Sequence, residues 1–360
     1  MTSKAISARD RFNGLTSAID SETLLYILKR FLQALLTLLL VSALSFLIIQ
    51  LAPGDYLDGL RQNPEISPER LQELAEEFGL DNQPPQGFTI PWLTWVARGY
   101  WKWLSNVITE LNFGESFVYS RSVASLLSER IFNTLLLAIS SIILTWAIAI
   151  PLGIIGAVRQ NRLSDRVLRV LSYMGQGFPS FITALLLLIL AQNLSPLVPV
   201  GGMTSVNHNN FSPLGKVLDI GWHMILPTIA LSITSFAGLQ RLMRGELLDV
   251  LRQDYIQTAR AKGLPENKVI YIHALRNAIN PLITILGFEF AGLLSGAFIA
   301  EFFFNWPGLG RLILDAVRRQ DLYLVMGSLV MGAAMLILGN LLADLLLKAV
   351  DPRIKLENLK

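Results

Sequence analysis

The stretch FLQALLTLLLVSALSFLIIQLA, residues 31–52, carries no charged side chain. A helix needs roughly 20 consecutive apolar residues to cross the hydrocarbon core of a bilayer, and this run supplies them. Further apolar runs follow at 131–158, 170–194, 222–239, 278–300 and 322–347. Pro151 interrupts the second, which a membrane helix tolerates when neighbouring groups satisfy the freed carbonyl. The first run is too long for the h-region of a cleavable signal and follows a long polar stretch, so it reads as a retained helix. Composition agrees. Hydrophobic residues make up 52% of the 360 and charged residues only 16%, against about 25% charged in soluble chains. Mean hydropathy is +0.48. The expected fold is an all-α integral membrane protein of six transmembrane helices, with a small extracytoplasmic subdomain between helices 1 and 2.

Orientation follows from Lys and Arg in the short connections. The 2–3 loop holds Arg159, Arg162, Arg166 and Arg169. The 4–5 loop holds Arg241, Arg244, Arg252, Arg260, Lys262, Lys268 and Arg276. Lys29 and Arg30 abut the first span, and Lys348, Arg353 and Lys355 follow the last, whereas the 3–4 loop has only Lys216. Both termini and both basic loops are therefore expected in the cytoplasm, against the weaker vote of Arg311, Arg318 and Arg319. The resulting organisation is a cytoplasmic tail (1–27), helix 1 (28–52), the extracytoplasmic subdomain (53–130), a core of five spans (131–350) and a C-terminal cytoplasmic tail (351–360). Within the subdomain a helix is predicted with Ser67 as N-cap, Pro68 at its first position and Gly79 at its stop. Leu71, Leu74, Ala75 and Phe78 form its apolar face. Trp92, Trp95, Trp101, Trp103, Trp222 and Trp306 fall near the outer membrane–water boundary, where amphipathic rings are favoured.

Several chemistries are excluded or disfavoured. With no cysteine there is no disulfide, thiolate metal site or Cys nucleophile, and three histidines (His208, His223, His273) make a His-built metal site improbable. A net charge of +3 is small for a nucleic-acid binder. No Gly-x4-Gly-Lys-Ser/Thr phosphate loop exists; Gly215-Lys216 lacks both the earlier Gly and the following hydroxyl. The chain is thus not expected to hydrolyse ATP.

The 4–5 connection, about 241–281, is the most informative segment. It contains RGELLDVLRQDYIQTARAKGLPENKVIYIHALRNAINP, residues 244–281. Two short helices are expected to meet at Gly263-Leu264-Pro265, with Gly263 in the left-handed conformation and Pro265 at the first position of the second helix. Ala259 and Gly263, four apart, would give a small-residue face that a partner surface can approach closely, with Arg260 and Lys262 flanking it to pair with acids there.

Ala-x-x-x-Gly followed by Leu and Pro resembles the coupling-helix motif of ATP-binding-cassette importer permeases. The string from Asp254 to Pro281 is similar to the version in the dipeptide, oligopeptide and nickel branch. Gln257-Thr258-Ala259 occupies the Glu-Ala-Ala place, and Arg276 stands where many families have Pro, as is usual in this branch. Ala52-Pro53-Gly54-Asp55, Phe113-Gly114-Glu115-Ser116 with Arg121 and Val123, EFFFNWPGLG (301–310), Arg319-Gln320-Asp321 and Asp351-Pro352-Arg353 match the same branch in order. The resemblance spans about residues 28–354. It implies an importer in the bacterial cytoplasmic membrane, built from this chain, a second permease (a heterodimer), two ATPase subunits and an extracytoplasmic substrate-binding protein. No cofactor is implied for this chain, since ATP and Mg are used by the ATPases. The coupling residues implied are Asp254, Gln257, Thr258, Ala259, Arg260, Lys262, Gly263 and Leu264. The cargo implied is a peptide, with nickel complexes and small amides as further members of the class.

Three further features carry expectations. Glu289 is an acid inside a span. It reads as facing the translocation path, with a hydrogen bond to the partner permease or a proton relay as alternatives. Gly292 and Gly296 form a Gly-x-x-x-Gly pair expected to pack helices. Asp344 and His223 read as boundary residues. A gradient-driven secondary transporter and an intramembrane enzyme are the competing classes. The first generally needs several intramembrane ionisable groups and the second a clustered catalytic set, neither of which is found.

Overall fold

The computed structural model describes residues 21–51, 56–61, 66–77, 89–195 and 197–350. The expectations placed on Ala52 to Asp55, on Phe78 and Gly79, on most of the N-terminal tail and on Asp351-Pro352-Arg353 lie outside them. The described chain is almost wholly helical: α1 Ser21–Leu51, α2 Tyr56–Arg61, α3 Pro68–Glu77, α4 Ile90–Glu110, α5 Val123–Val158, α6 Leu163–Gly177, α7 Ser180–Leu194, α8 Pro213–Leu251, α9 Asp254–Ala261, α10 Glu266–Lys268, a π-helical turn Val269–Ala274, α11 Leu275–Ala278, α12 Asn280–Phe303, α13 Leu309–Arg318 and α14 Leu322–Val350. The described strands are a two-residue hairpin, β1 Glu115–Ser116 and β2 Arg121–Ser122, paired antiparallel with Glu115 opposite Ser122.

Among the described residues four helices are long and apolar enough to span a bilayer: α1, α5, the Pro213–Ile233 part of α8, and the Leu322–Leu342 part of α14. The number rises to six if two bent pairs each count as one span. One pair is Leu163–Gly177 with Ser180–Leu194, bent by 100°; the other is Glu266–Ala278 with Asn280–Leu286, bent by 42°. The third run is therefore not one straight helix over 170–194. Phe178 is extended (φ −88°, ψ 121°), as a residue before proline prefers. α7 starts only after Pro179, and α6 turns away so that its buried Asp165 and Ser172 face the bundle.

Hydrophobic packing is layered along the bundle. α5 and α8 lie side by side. They approach closely enough that a Cβ on Gly153 would sit 2.7 Å from the Met243 side chain and 2.9 Å from the Gln240 carbonyl oxygen. Ala149 and Ile154 of α5 and Leu239, Met243 and Leu247 of α8 form one core with Ile256, Val269 and Ala274, which follow α8, and with Leu282 of α12. Leu137, Ala184, Leu226, Ala300, Phe304 and Trp306 form a second core toward the opposite end. The outer face of α1 exposes Phe31, Leu32, Leu36, Leu40, Leu44 and Ile48. In water this would be a large apolar patch; against lipid tails it costs nothing. Ser67 caps α3 by accepting the Arg70 amide at 3.2 Å, and Pro68 opens the helix, as the sequence predicts.

Candidate functional site

The 4–5 connection begins within α8, which at 39 residues is about 58 Å long and outruns the bilayer. After α8 ends, α9 runs from Asp254 to Ala261 and stops in a Schellman turn. The Gly263 amide donates to Arg260 O at 2.9 Å and the Leu264 amide to Ala259 O at 3.3 Å, with Gly263 at φ +73°. Gly263 thus takes the left-handed role its sequence position predicts. Pro265 is the N-cap of α10 rather than its first residue.

Two expectations change here. Ala259 does not offer a small face to a partner: with Ile256 it is buried against the Leu247 and Val269 core, and Leu264 packs beside it. A small residue is needed there because the space belongs to this chain's own packing. The outward face of α9 is instead Asp254, Gln257, Thr258 and Ala261, spaced three and four apart and exposed, with Lys262 and Gly263 continuing it. Arg260 turns back onto Glu266 as a fork, at 2.7 and 3.2 Å, so its charge is already paired. The guanidinium holds the Glu266 carboxyl below its ordinary value. Beyond α10 the chain adopts a π-helical turn, a rare form that is frequent at functional sites.

A buried polar network, not foreseen from sequence, ties α8 to α6. Arg244 donates to both oxygens of Asp165, at 2.6 and 2.9 Å. Asp165, fully buried, also accepts the Asn161 amide at 2.8 Å. One turn before Arg244, Gln240 accepts the Ser172 hydroxyl at 2.7 Å. The bidentate fork fixes orientation as well as distance. The fork and the Gln240–Ser172 bond thus tie α8 to α6 at two successive turns. In the sequence Asp165 stands among Arg159, Arg162, Arg166 and Arg169, with nothing local to mark Arg244 as its partner.

Within the bundle, Glu289 on α12 accepts the indole N–H of Trp146 on α5 at 2.8 Å. The bond lies within this chain. The packing of Gly292 and Gly296 lies outside the described residues, although both fall in α12. Asp344 accepts from two residues in the N-terminal part of α1, the Tyr26 hydroxyl at 2.5 Å and Arg30 at 3.0 Å. This joins α1 to α14 and gives the boundary residue a structural task.

At the opposite end, two of the quoted motifs become geometry. The fully buried Glu301 carboxylate accepts the Thr134 hydroxyl at 2.6 Å and the Arg311 amide at 3.0 Å, while Thr134 accepts the Leu309 amide at 2.7 Å. Together they serve the free amides at the start of α13. Trp306, fully buried, donates to Asn133 O, and Asn133 donates to Pro307 O. Asp321, also fully buried, caps α14 through the Leu324 amide at 3.1 Å and holds the hairpin by accepting from Ser116 Oγ at 2.5 Å and Val118 N at 3.1 Å. Burial pushes its carboxyl up despite those bonds. Nearby, Asp219 accepts from the amide and hydroxyl of Ser205 and lies 2.7 Å from His208 Nδ1, while His223 Nδ1 meets the Asp219 carbonyl at 2.9 Å. Among the described residues no three His, Asp or Glu side chains gather as a metal site.

Comparison with known proteins adds a family. Residues 149–356 match the family described as binding-protein-dependent transport system inner membrane component, and residues 23–138 match the corresponding N-terminal family. The chain is 39% identical over 332 residues to the oligopeptide transport system permease protein AppB of Bacillus subtilis, covering 92% of this chain and 99% of that one. It is 34% identical over 349 residues to the dipeptide transport system permease protein DppB of Escherichia coli K12 (92% and 98% covered). It is also 34% identical over 331 residues to the glutathione transport system permease protein GsiC of Escherichia coli O1:K1 (92% and 98% covered). Among solved structures, a chain of the MetNI methionine ABC transporter aligns with 63% of this chain and 97% of its own, at 14% identity and a TM-score of 0.48.

Proposed function

The chain belongs to the family of binding-protein-dependent transport system inner membrane components, and from that premise we propose that it is the permease subunit of an ATP-binding-cassette importer for peptides. The observation that carries the proposal is the outward face of α9, Asp254, Gln257, Thr258 and Ala261, held on a long helix whose far half lies in the membrane. In this reading the termini and the coupling loop face the cytoplasm, in keeping with the clustered Arg and Lys of the 2–3 and 4–5 connections. Two ATPase subunits bind there and use ATP and Mg. A second permease completes the path, and a substrate-binding protein delivers cargo on the other side. Nucleotide-driven closure moves α9, and the Arg244–Asp165 fork passes that motion into α6. A distant ligand thus biases a two-state membrane element. Glu289, bonded to Trp146, is the polar group we place along the path.

The test is uptake into proteoliposomes of the assembled importer. Labelled di- to oligopeptides should accumulate only with ATP on the α9 side and binding protein on the other. Accumulation driven by an imposed ion gradient without ATP would overturn the proposal.

A further inference from the structure

α4 lies in the region that the sequence assigns to an extracytoplasmic subdomain, yet it is packed on membrane spans. One face buries Trp92, Val96 and Trp103 against Phe46 of α1 and Met326 of α14. The approach is close at Gly99, where an added Cβ would meet the Phe46 ring at 3.1 Å. Phe46 lies five residues before the end of α1 at Leu51, about 7–8 Å inside it at 1.5 Å per residue. The Tyr100 side chain reaches deeper still, its hydroxyl lying 2.9 Å from Ser42 Oγ and 3.3 Å from Leu39 O. A phenol tip supplied with protein partners in this way does not need water.

The other face of α4 is apolar and uncovered in this chain. Ile90, Ala97, Trp101 and Ile108 recur at spacings of seven, four and seven residues, on one side of the helix, and Leu93 and Leu111 extend the stripe. Trp101 is 70% exposed and Ile108 69%. Phe46, the residue that α4 touches, sits between Leu44 and Ile48, both exposed on the outer face of α1. The level at which α4 meets α1 is therefore a level at which α1 presents leucine and isoleucine to lipid. Exposed Arg98 and Lys102 lie beside the stripe on α4, where long cationic side chains can reach headgroups while their stems stay apolar.

We propose that α4 is an interfacial helix, seated in the leaflet farther from the coupling loop, with the Ile90–Trp101–Ile108 stripe against acyl chains and Arg98 and Lys102 among anionic headgroups. Such helices bury their apolar face about 5–10 Å into the headgroup–acyl boundary, a distance comparable to the about 7–8 Å by which Phe46 lies inside the end of α1. The inference concerns membrane seating and does not depend on the cargo or on ATP.

The chain has no cysteine, so single sites can be spin-labelled directly. Ala97→Cys and, separately, Ile108→Cys carry a nitroxide in the full-length chain, reconstituted into nanodiscs of phosphatidylethanolamine and phosphatidylglycerol. Collision with oxygen, which partitions into lipid, is compared with collision with a water-soluble nickel chelate. Both labels should favour oxygen and report a depth of about 5–10 Å, while a label at exposed Glu76 on α3 favours the chelate. Preference for the chelate at 97 and 108 would place α4 in water and overturn the proposal. Shielding from both probes would mean that a protein covers the stripe, which overturns it equally. Two sites on one face keep the test decisive if one variant folds poorly.

Discussion

Gly308→Ala should cripple the stability of the α12–α13 corner, although nothing about its backbone forbids alanine. Gly308 sits at φ −100°, ψ −177°, ordinary extended backbone for any residue. The difficulty is space: the new Cβ would lie 2.0 Å from Glu301 Oε1, 2.1 Å from its Cδ and 2.5 Å from Oε2. An exposed carboxylate would swing aside. This one is fully buried and bonded to Thr134 and the Arg311 amide, and even a Cβ on Gly310 would lie 3.1 Å from its Oε2. Overpacking alone costs about 1–3 kcal/mol, and each hydrogen bond to a charged group contributes about 1.5–3 kcal/mol. Making room must sacrifice at least part of one bond, so the expected loss is about 3 kcal/mol. The assay is thermal unfolding of the purified protein in detergent, with Gly238→Ala as control, because a Cβ there meets nothing within 4 Å. The control should hold or gain slightly, since helical Gly is about 0.5–1 kcal/mol worse than Ala. Removing the carboxylate with Glu301→Ala should shrink the cost of Gly308→Ala, giving a clear coupling term in the double-mutant cycle. Wild-type melting of Gly308→Ala, or strict additivity with Glu301→Ala, would refute the reasoning.

Three other outcomes are expected. Arg244→Met leaves the buried Asp165 without its fork and should cost about 3–5 kcal/mol, with Arg244→Lys intermediate because an ammonium cannot reproduce the two-pronged geometry; thermal unfolding of both variants checks this. Gly263→Ala, at φ +73° with open space around it, should cost about 1–2 kcal/mol of backbone strain alone, and an unchanged melting temperature would contradict the Schellman assignment. Glu289→Gln should alter transport without preventing assembly, read as peptide uptake at equal complex yield; full uptake would remove Glu289 from the path.

Much of the architecture was legible because membrane spans announce themselves as long uncharged runs. The helix stop at Gly263 was equally readable, since few residues tolerate the left-handed region. The third run misled because its apolar composition continues through Phe178-Pro179, where backbone sterics rather than hydropathy end the helix. The proline was there to be read. Ala259 misled for another reason: a small residue on a short amphipathic helix suits close approach by a partner and by the chain's own core alike, and only the position of Leu247 and Val269 decides between them. Glu301 and Asp321 appeared as motif letters without roles. Their partners, Thr134 and Ser116, lie 167 and 205 residues away in sequence, and no local pattern carries pairings of that range. The α6–α8 fork was hidden in the same way, by 79 residues.

The central claim is that the outward face of α9 receives an ATPase, and the most direct measurement is co-purification of this chain in detergent with its partners, followed by assay of the ATPase that accompanies it. Gln257→Arg with Ala261→Arg places two long cations on the exposed face while leaving buried Ile256 and Ala259 intact. The account predicts that an ATPase accompanies the wild-type chain and is lost from the double variant, with thermal stability unchanged. An ATPase that stays with the double variant, or a well-folded wild type that carries none, would contradict it.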